Sequence, residues 1–368
     1  MSLRILVVGA GIAGLAVARG LRVAGFRPDV VDELPATTVP GAGIYLPGNA
    51  GRALRALGLD APLRPLGTLI FRQVFLDALG QHLCEVDVGA LWASVGESRA
   101  MSRGDLQRVL LTGVGGEVRY DTAVRDIRVV DGLAEVDFGD GSTASYDLVV
   151  GADGRRSTVR AKAELGGPAT PTGQIVYRSV IAGGPPVTEW TALLGPRSAF
   201  VVMPMGGRRL YCSADETAGA DTPSPADPQA RVRELFGTFG GPVPAILGEM
   251  NKVQVARTDE VVVDSWFRGP VLLVGDAAHA TAPSLAQGAA MALEDAAVLG
   301  DVLRAGSDVP SALKAFEDRR RPRTDWILEH TRERDRIRDI PPEVRDPMLR
   351  ERGERLFAEA YRGLLGPL

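Results

Sequence analysis

An α/β fold is what this 368-residue sequence predicts: a parallel, dinucleotide-type sheet domain, an inserted and mostly antiparallel sheet, and helices toward the C-terminus. Three observations predict it. The first stretch of about thirty residues reads strand, glycine turn, helix, strand. Two more buried strands, far along the chain, each run into a Gly/Asp turn. Between about Gly166 and Val255, strand-like runs alternate with Gly/Pro turns, the composition of a separate antiparallel sheet.

Taken in order, Leu3 to Val8 is a short apolar run rich in β-branched residues, the pattern of a strand buried on both faces. Gly9-Ala10-Gly11-Ile12-Ala13-Gly14 follows, and Leu15, Ala18 and Leu21 continue at helical spacing until Gly25 ends the helix. Arg27 to Glu33 is a second strand finishing on Asp32 and Glu33. The unit is Rossmann-like, and its glycines have separate reasons: a tight turn, close approach of backbone to a pyrophosphate, and helix-on-strand packing. The helix start offers free N–H groups to phosphate, and Asp32 ends its strand where a carboxylate meets a ribose diol. Pro35 to Gly51 reads as a loop, and Ala50 to Leu59 as a helix stopped at Gly58. Thr68 to Val88 reads as strands around a turn at Asp77–Gly80. Ser102 caps a helix to Leu111, with Asp105 in its first turn. Alternation at Val124, Ile127 and Val129, then Leu133, Val136 and Phe138, gives a hairpin. Tyr146 to Val150 leads into Gly151-Ala152-Asp153-Gly154, and Pro270 to Val274 into Gly275-Asp276. A glycine- and alanine-rich loop and helix follow from Pro283 to Arg304, and the last sixty or so residues are helical and charged, with Arg319–Arg323 as a solvated face.

Composition narrows the function. Hydrophobic residues at 45% and charged residues at 24% are an ordinary globular balance, which excludes a disordered chain. Forty-two bases against 46 acids leave −4, with nothing to suggest a nucleic-acid partner. No apolar stretch approaches the ~18 residues of a membrane span. The start at Met1-Ser2 runs directly into a strand, leaving no room for a signal peptide. Cys84 and Cys212 form neither a disulfide framework nor a redox pair, so a cytoplasmic protein is expected. His82 with Cys84 gives too few ligands for a metal, and His279 reads as structural. Trp190, Phe200 and Tyr211, with Met203 and Met205, either line an apolar pocket or fill a core.

The three motifs, Gly9–Gly14, Gly151–Arg160 and Gly275–Asp295, together resemble those of the FAD-dependent aromatic hydroxylases, the single-component flavoprotein monooxygenases of the p-hydroxybenzoate hydroxylase fold. The resemblance covers roughly residues 1–330. It implies a discontinuous FAD-binding domain over 1–70, 97–165 and 256–330, a substrate-binding sheet domain over 71–96 and 166–255, and a C-terminal helical segment over 331–368. Gly9, Gly11, Ile12, Ala13 and Gly14 would hold the FAD pyrophosphate, Asp32 the adenosine ribose, and Val124 the adenine. Arg103 would reach the ribityl and phosphate region, and Gly275-Asp276 the ribityl hydroxyls. Pro283 and Ala286-Gln287-Gly288-Ala289 would lie by the isoalloxazine, and Asp153 would serve the turn near FAD and the approach of the reductant. Two departures stand out. Glu33 occupies a position where the family usually has a base, and Ala286 stands at the first glycine of the family's P-x-x-G-Q-G loop. If that position needs φ > 0, alanine costs about 1 kcal/mol.

The resemblance implies FAD as cofactor and NADPH or NADH as transient reductant, since a second GxGxxG is lacking. It also implies insertion of one oxygen atom from O₂ into an aromatic or polyketide-like molecule through a flavin C4a-hydroperoxide, by a monomer or homodimer. No catalytic residue is assigned by the sequence, and no metal is required. The alternatives are a flavin reductase or oxidase without oxygen insertion, which Ala286 keeps open, and a flavin-binding protein without turnover. The four tryptophans form no WxWxIP motif, which disfavours a halogenase.

Overall fold

The computed structural model describes residues 3–37, 41–306 and 308–368. Its first sheet has six strands, in the order Phe267–Arg268, Val271–Leu273, Leu148–Gly151, Ile5–Val8, Asp29–Val31, Val118–Arg119. All neighbours are parallel except the edge strand Phe267–Arg268. Registers Val8↔Gly151 and Gly151↔Leu273 bring the three motif-bearing strands to a common end. There the Ala152 N–H donates to the Val8 carbonyl at 2.8 Å and the Val274 N–H to that of Gly151 at 3.0 Å. Three segments far apart in the chain thus meet at the carboxyl edge of a parallel sheet, where ligands of open α/β sheets bind.

The second large sheet has seven strands: Gln254–Glu260, Thr170–Ala182, Arg209–Thr217, Ser198–Pro204, Trp190–Gly195, Arg72–Asp77 and His82–Asp87. Only Trp190–Gly195 with Arg72–Asp77 is parallel. One face, with Tyr177, Phe200 and Cys212, packs under the helices Pro228–Phe236 and Val243–Glu249. The other face looks toward the first sheet's motifs. Gly43–Leu46, Arg99–Ser102 and Thr68–Leu69 form a small sheet between them, and Val124–Val130, Leu133–Phe138 and Thr143–Tyr146 an outlying one.

Several sequence expectations need correcting. The Pro35–Gly51 loop contains the strand Gly43–Leu46 and the start of the helix Gly48–Ala56; Thr38–Pro40 lie outside the described residues, as do Met1 and Ser2. The run Tyr146–Val150 is two strands, split at Asp147, whose carboxylate takes the Arg4 N–H at 2.6 Å. The boundary at 255/256 cuts the strand Gln254–Glu260, and that at 330/331 cuts the helix Val309–Asp339, so the C-terminal segment is continuous with what precedes it.

The arginine run is not a solvated face. Arg319 is exposed, but Arg320 and Arg323 are buried against Glu294 and Asp295 of the helix Gly288–Arg304. Arg320 Nε donates to Asp295 Oδ1 at 2.7 Å, and Arg323 grips Glu294 through two bonds of 2.8 Å. The same carboxylates accept from Asn49 Nδ2 at 3.0 Å and the Gly275 N–H at 2.9 Å, and Asp295 meets His279 Nε2 at 2.7 Å. The sequence pattern read as solvated because the helix has few apolar residues; full ion pairing is what lets these arginines be buried.

Candidate active site

Gly9, Gly11 and Gly14 differ in what surrounds them. Gly9 has φ +104°, and a Cβ there would stand 2.5 Å from the Ala152 carbonyl oxygen. A Cβ on Gly14 would stand 1.8 Å from the Gly9 carbonyl oxygen. One on Gly11 would meet nothing within 4 Å. The first and third glycines are therefore demanded by the protein itself, whereas the second leaves backbone bare toward open space. The helix Ile12–Val23 begins there with no side-chain cap, so its first N–H groups and positive dipole end face outward. The helix Gly288–Arg304 also begins uncapped.

Both helix starts open onto one cavity of about 380 Å³. Gly11, Ile12, Ala13, Arg103, Asp276, Pro283, Ala286, Gly288 and Ala289 lie along it. Gly9, Gly14 and Gly275 stand behind this wall as the turns that shape it. Asp153 also stands behind: its carboxylate accepts from Ser157 Oγ at 2.6 Å and the Val159 N–H at 3.0 Å, which fixes the following turn. Burial pushes that carboxyl up, against these hydrogen bonds. The Gln287 side chain points inward to Asn49, with Asn49 Nδ2 donating at 2.9 Å, so only its backbone serves the loop. Ala286 has φ +53°, ψ 33°, the left-handed conformation anticipated from the missing glycine, and it carries the cost of about 1 kcal/mol.

Asp32, Glu33 and Val124 lie away from the cavity. Asp32 accepts the Ala10 N–H at 2.6 Å and the Leu34 N–H at 2.8 Å, bracing the glycine turn, while Glu33 is exposed and Val124 buried.

Opposite the glycine turns is the seven-stranded sheet. Period-2 alternation decides which of its residues face the cavity. Trp190, Met203 and Tyr211 do; Phe200 is on the other face, in the second core, and Met205 is buried outside the cavity. The sequence pattern missed Arg178, Ser213 and Asp215 on the strands, and Arg334, Arg338, Phe357 and Tyr361 on the C-terminal helices, all of which line it. The alternation Tyr211-Ser213-Asp215 and the one-turn spacing Arg334-Arg338 were legible signals; Arg178 had none. Asp215 Oδ1 accepts from Arg338 Nη1 at 2.6 Å, and Oδ2 has no protein partner among the described residues. Burial pushes the Asp215 carboxyl up to about 6 despite Arg338.

Cys84 is buried and its thiol is pushed up to about 12 by burial, whereas His82 is exposed. Among the described residues no cluster of His, Cys, Asp or Glu could hold a metal, and no helix is long and apolar enough to cross a membrane.

A flavin dinucleotide fits this site on two counts. The open side of Gly11 provides the approach that a pyrophosphate needs. Arg103 Nε, Arg178 Nε and Thr281 Oγ1 are buried cavity-side polar atoms without partners, and such atoms are costly unless a ligand satisfies them.

Comparison with known proteins agrees with the geometry. The family described as "FAD binding domain" matches residues 2–331. Aurachin C monooxygenase/isomerase of Stigmatella aurantiaca is 32% identical, over 86% of this chain and 84% of that protein. A 3-hydroxybenzoate 6-hydroxylase of Polaromonas naphthalenivorans is 31% identical, over 99% and 96%. The structure of Klebsiella pneumoniae HpxO with FAD and uric acid superposes with a TM-score of 0.90 at 26% identity, covering 99% of this chain and 97% of that one.

Proposed function

The chain belongs to the FAD binding domain family and is an FAD-dependent monooxygenase, and from that premise we propose that it consumes NAD(P)H and O₂ to insert one oxygen atom into a small aromatic molecule seated between the glycine turns and the sheet. The observation that carries this reading is the shared cavity: two uncapped helix starts on one side, and the aromatic sheet wall on the other. When bound, FAD supplies the passage of electrons from NAD(P)H to oxygen.

The protein's own residues bind, orient and exclude water. Backbone N–H groups of Gly11, Ile12 and Ala13 would hold the pyrophosphate, with the Gly9 and Gly14 turns keeping them in place. Arg103 and Asp276 would hold the ribityl and phosphate portion. The backbone of Ala286–Ala289, braced by Gln287 and Asn49, would hold the flavin ring. Asp32, Glu33 and Val124 would serve the adenosine end, and Gly275 and Asp153 shape the two turns behind the cavity wall. Phe75, Trp190, Met203 and Phe357 would keep water out of the ring pocket, so that oxygen goes to the substrate rather than being lost as hydrogen peroxide. Asp215 offers an open oxygen to a hydroxyl or N–H proton of the substrate. In this reading the substrate sheet runs to Glu260 and the C-terminal helical segment begins at Val309. A cytoplasmic setting is supported by two unpaired, buried cysteines.

The test is direct. The flavoprotein is reduced anaerobically with NADPH and with NADH, then mixed with ¹⁸O₂ and a panel of hydroxybenzoates, urate and hydroxyquinolines. One labelled oxygen in a product is expected. Hydrogen peroxide in full yield, with no labelled product from any compound, would instead establish the oxidase reading that Ala286 keeps open.

A further inference from the structure

Arg334 projects from the helix Val309–Asp339 into the sheet end of the cavity. Its guanidinium carbon stands 3.7 Å from the Phe357 ring centroid and 5.1 Å from that of Phe75. Those two rings are tilted to each other with centroids 4.3 Å apart, and Trp190 extends the cluster 5.4 Å beyond Phe75. A guanidinium lying on rings uses its flat face; its N–H donors lie in the plane and stay free.

Among the described residues the Tyr361 hydroxyl is the side-chain partner those donors find, and it carries no charge to match theirs. Among the described residues no carboxylate comes within 4.0 Å of Arg334, whereas Arg338, Arg320 and Arg323 are each paired. Its titratable neighbours are Tyr361, Cys84 and Asp335. Asp335 is already engaged by Ser284 and Arg338. Burial pushes the Arg334 guanidinium down, a sign of how poorly its charge is compensated. An arginine cannot discharge at neutral pH, so a cation held this way is waiting for an anion, and the cavity is the open direction.

Arg103 and Arg178 also lack carboxylate partners, but they crowd each other beside Asp276 and Tyr211 where the sheet meets the glycine-turn side of the cavity, and the cofactor's phosphates and ribityl chain would account for them. Arg334 lies across the cavity, among the aromatic rings.

We propose that Arg334 binds a carboxylate carried by the aromatic substrate, which makes this an enzyme for aromatic acids. This rests on the monooxygenase reading above. The acid's ring would lie against Phe75 and Trp190 with its carboxylate in the plane of the guanidinium, the bidentate geometry that arginine matches and lysine does not.

The experiment titrates the holoenzyme with matched pairs, 3-hydroxybenzoate against 3-hydroxybenzamide and 2-naphthoate against 2-naphthamide, followed by flavin difference absorbance. An acid is expected to bind about 10- to 100-fold tighter than its amide. Arg334→Met keeps the stem against Phe357 and removes the charge; it should bring that ratio to about one. Arg334→Lys should keep part of it. Flavin content after gel filtration shows whether each variant folds, and the wild-type acid-to-amide ratio tests the proposal even where a variant does not. Equal affinities, no binding by either acid, or a preference that survives Arg334→Met overturns it. Failure of the monooxygenase reading would show separately, as absence of ¹⁸O incorporation, which these titrations do not use.

Discussion

A methyl group on Gly14 would lie 1.8 Å from a backbone oxygen that cannot move without unmaking the turn, whereas one on Gly11 would lie in the open. The same substitution should therefore separate two properties. Gly14→Ala is expected to destabilise the flavin-free protein by about 2–3 kcal/mol, the scale of forced overpacking. Gly11→Ala should cost it less than about 1 kcal/mol, a poorer helix cap, yet sharply weaken flavin retention. Urea unfolding of flavin-stripped protein and flavin content after gel filtration measure the two. Equal stability losses would mean that Gly11, too, is held by the protein rather than kept for a ligand. Both glycines were visible in the sequence; which one serves the fold and which the cofactor was not, because that depends on atoms from residues that only the folded turn brings close.

The helix Gly288–Arg304 is buried on nearly all sides, and two adjacent acids within it, Glu294 and Asp295, anchor the site from behind. Through Asn49 and Gln287, Gly275, His279 and the C-terminal arginines, they tie both cavity-side turns to the helix Val309–Asp339. Burial pushes the Asp295 carboxyl up, but His279 and Arg320 outweigh it and hold it at about 2. A carboxylate depressed in the folded state stabilises above its unfolded value near 4, and that contribution fades as pH falls toward 2. Arg320→Met leaves two buried carboxylates short of a cation, so a loss of about 3–5 kcal/mol is expected at pH 7. The loss should shrink at pH 4, where the variant's carboxyls take up protons. Urea midpoints at the two pH values decide it: a deficit independent of pH would show that packing, not charge, is what Arg320 provides. The sequence displayed the Arg319–Arg323 run but not its partners, since a helix of few apolar residues gives no amphipathic stripe to orient it.

Across the whole molecule, the C-terminal helices are a wall of the cavity rather than an appendage. The helix Pro342–Arg362 buries Leu349, Phe357 and Tyr361 and covers Cys84; a Cβ on its Gly353 would stand 2.5 Å from the Cys84 sulfur. With both thiols pushed up to about 12 by burial, the intact protein should react slowly with thiol reagents. A chain ending at residue 340 should expose Cys84, which labels within minutes, while Cys212, under the far face of the sheet, stays protected as long as that face holds. Equal labelling of Cys84 in the two chains would place it outside the cover of this helix.

By itself the sequence determined the dinucleotide unit, the two later Gly/Asp turns, the helix cap at Ser102 and the existence of a second sheet, because each is a local matter of period, turn chemistry or a short motif. The strain at Ala286 was legible for the same reason: a backbone conformation is set within one turn. Only the tertiary structure decided that the three motifs converge, through strand registers linking residues more than a hundred positions apart. It likewise decided that Arg334, Asp215 and Phe357 share a cavity, and that Arg320 is buried. Those outcomes depend on which charges and rings from distant elements end up adjacent, and local patterning carries no record of that.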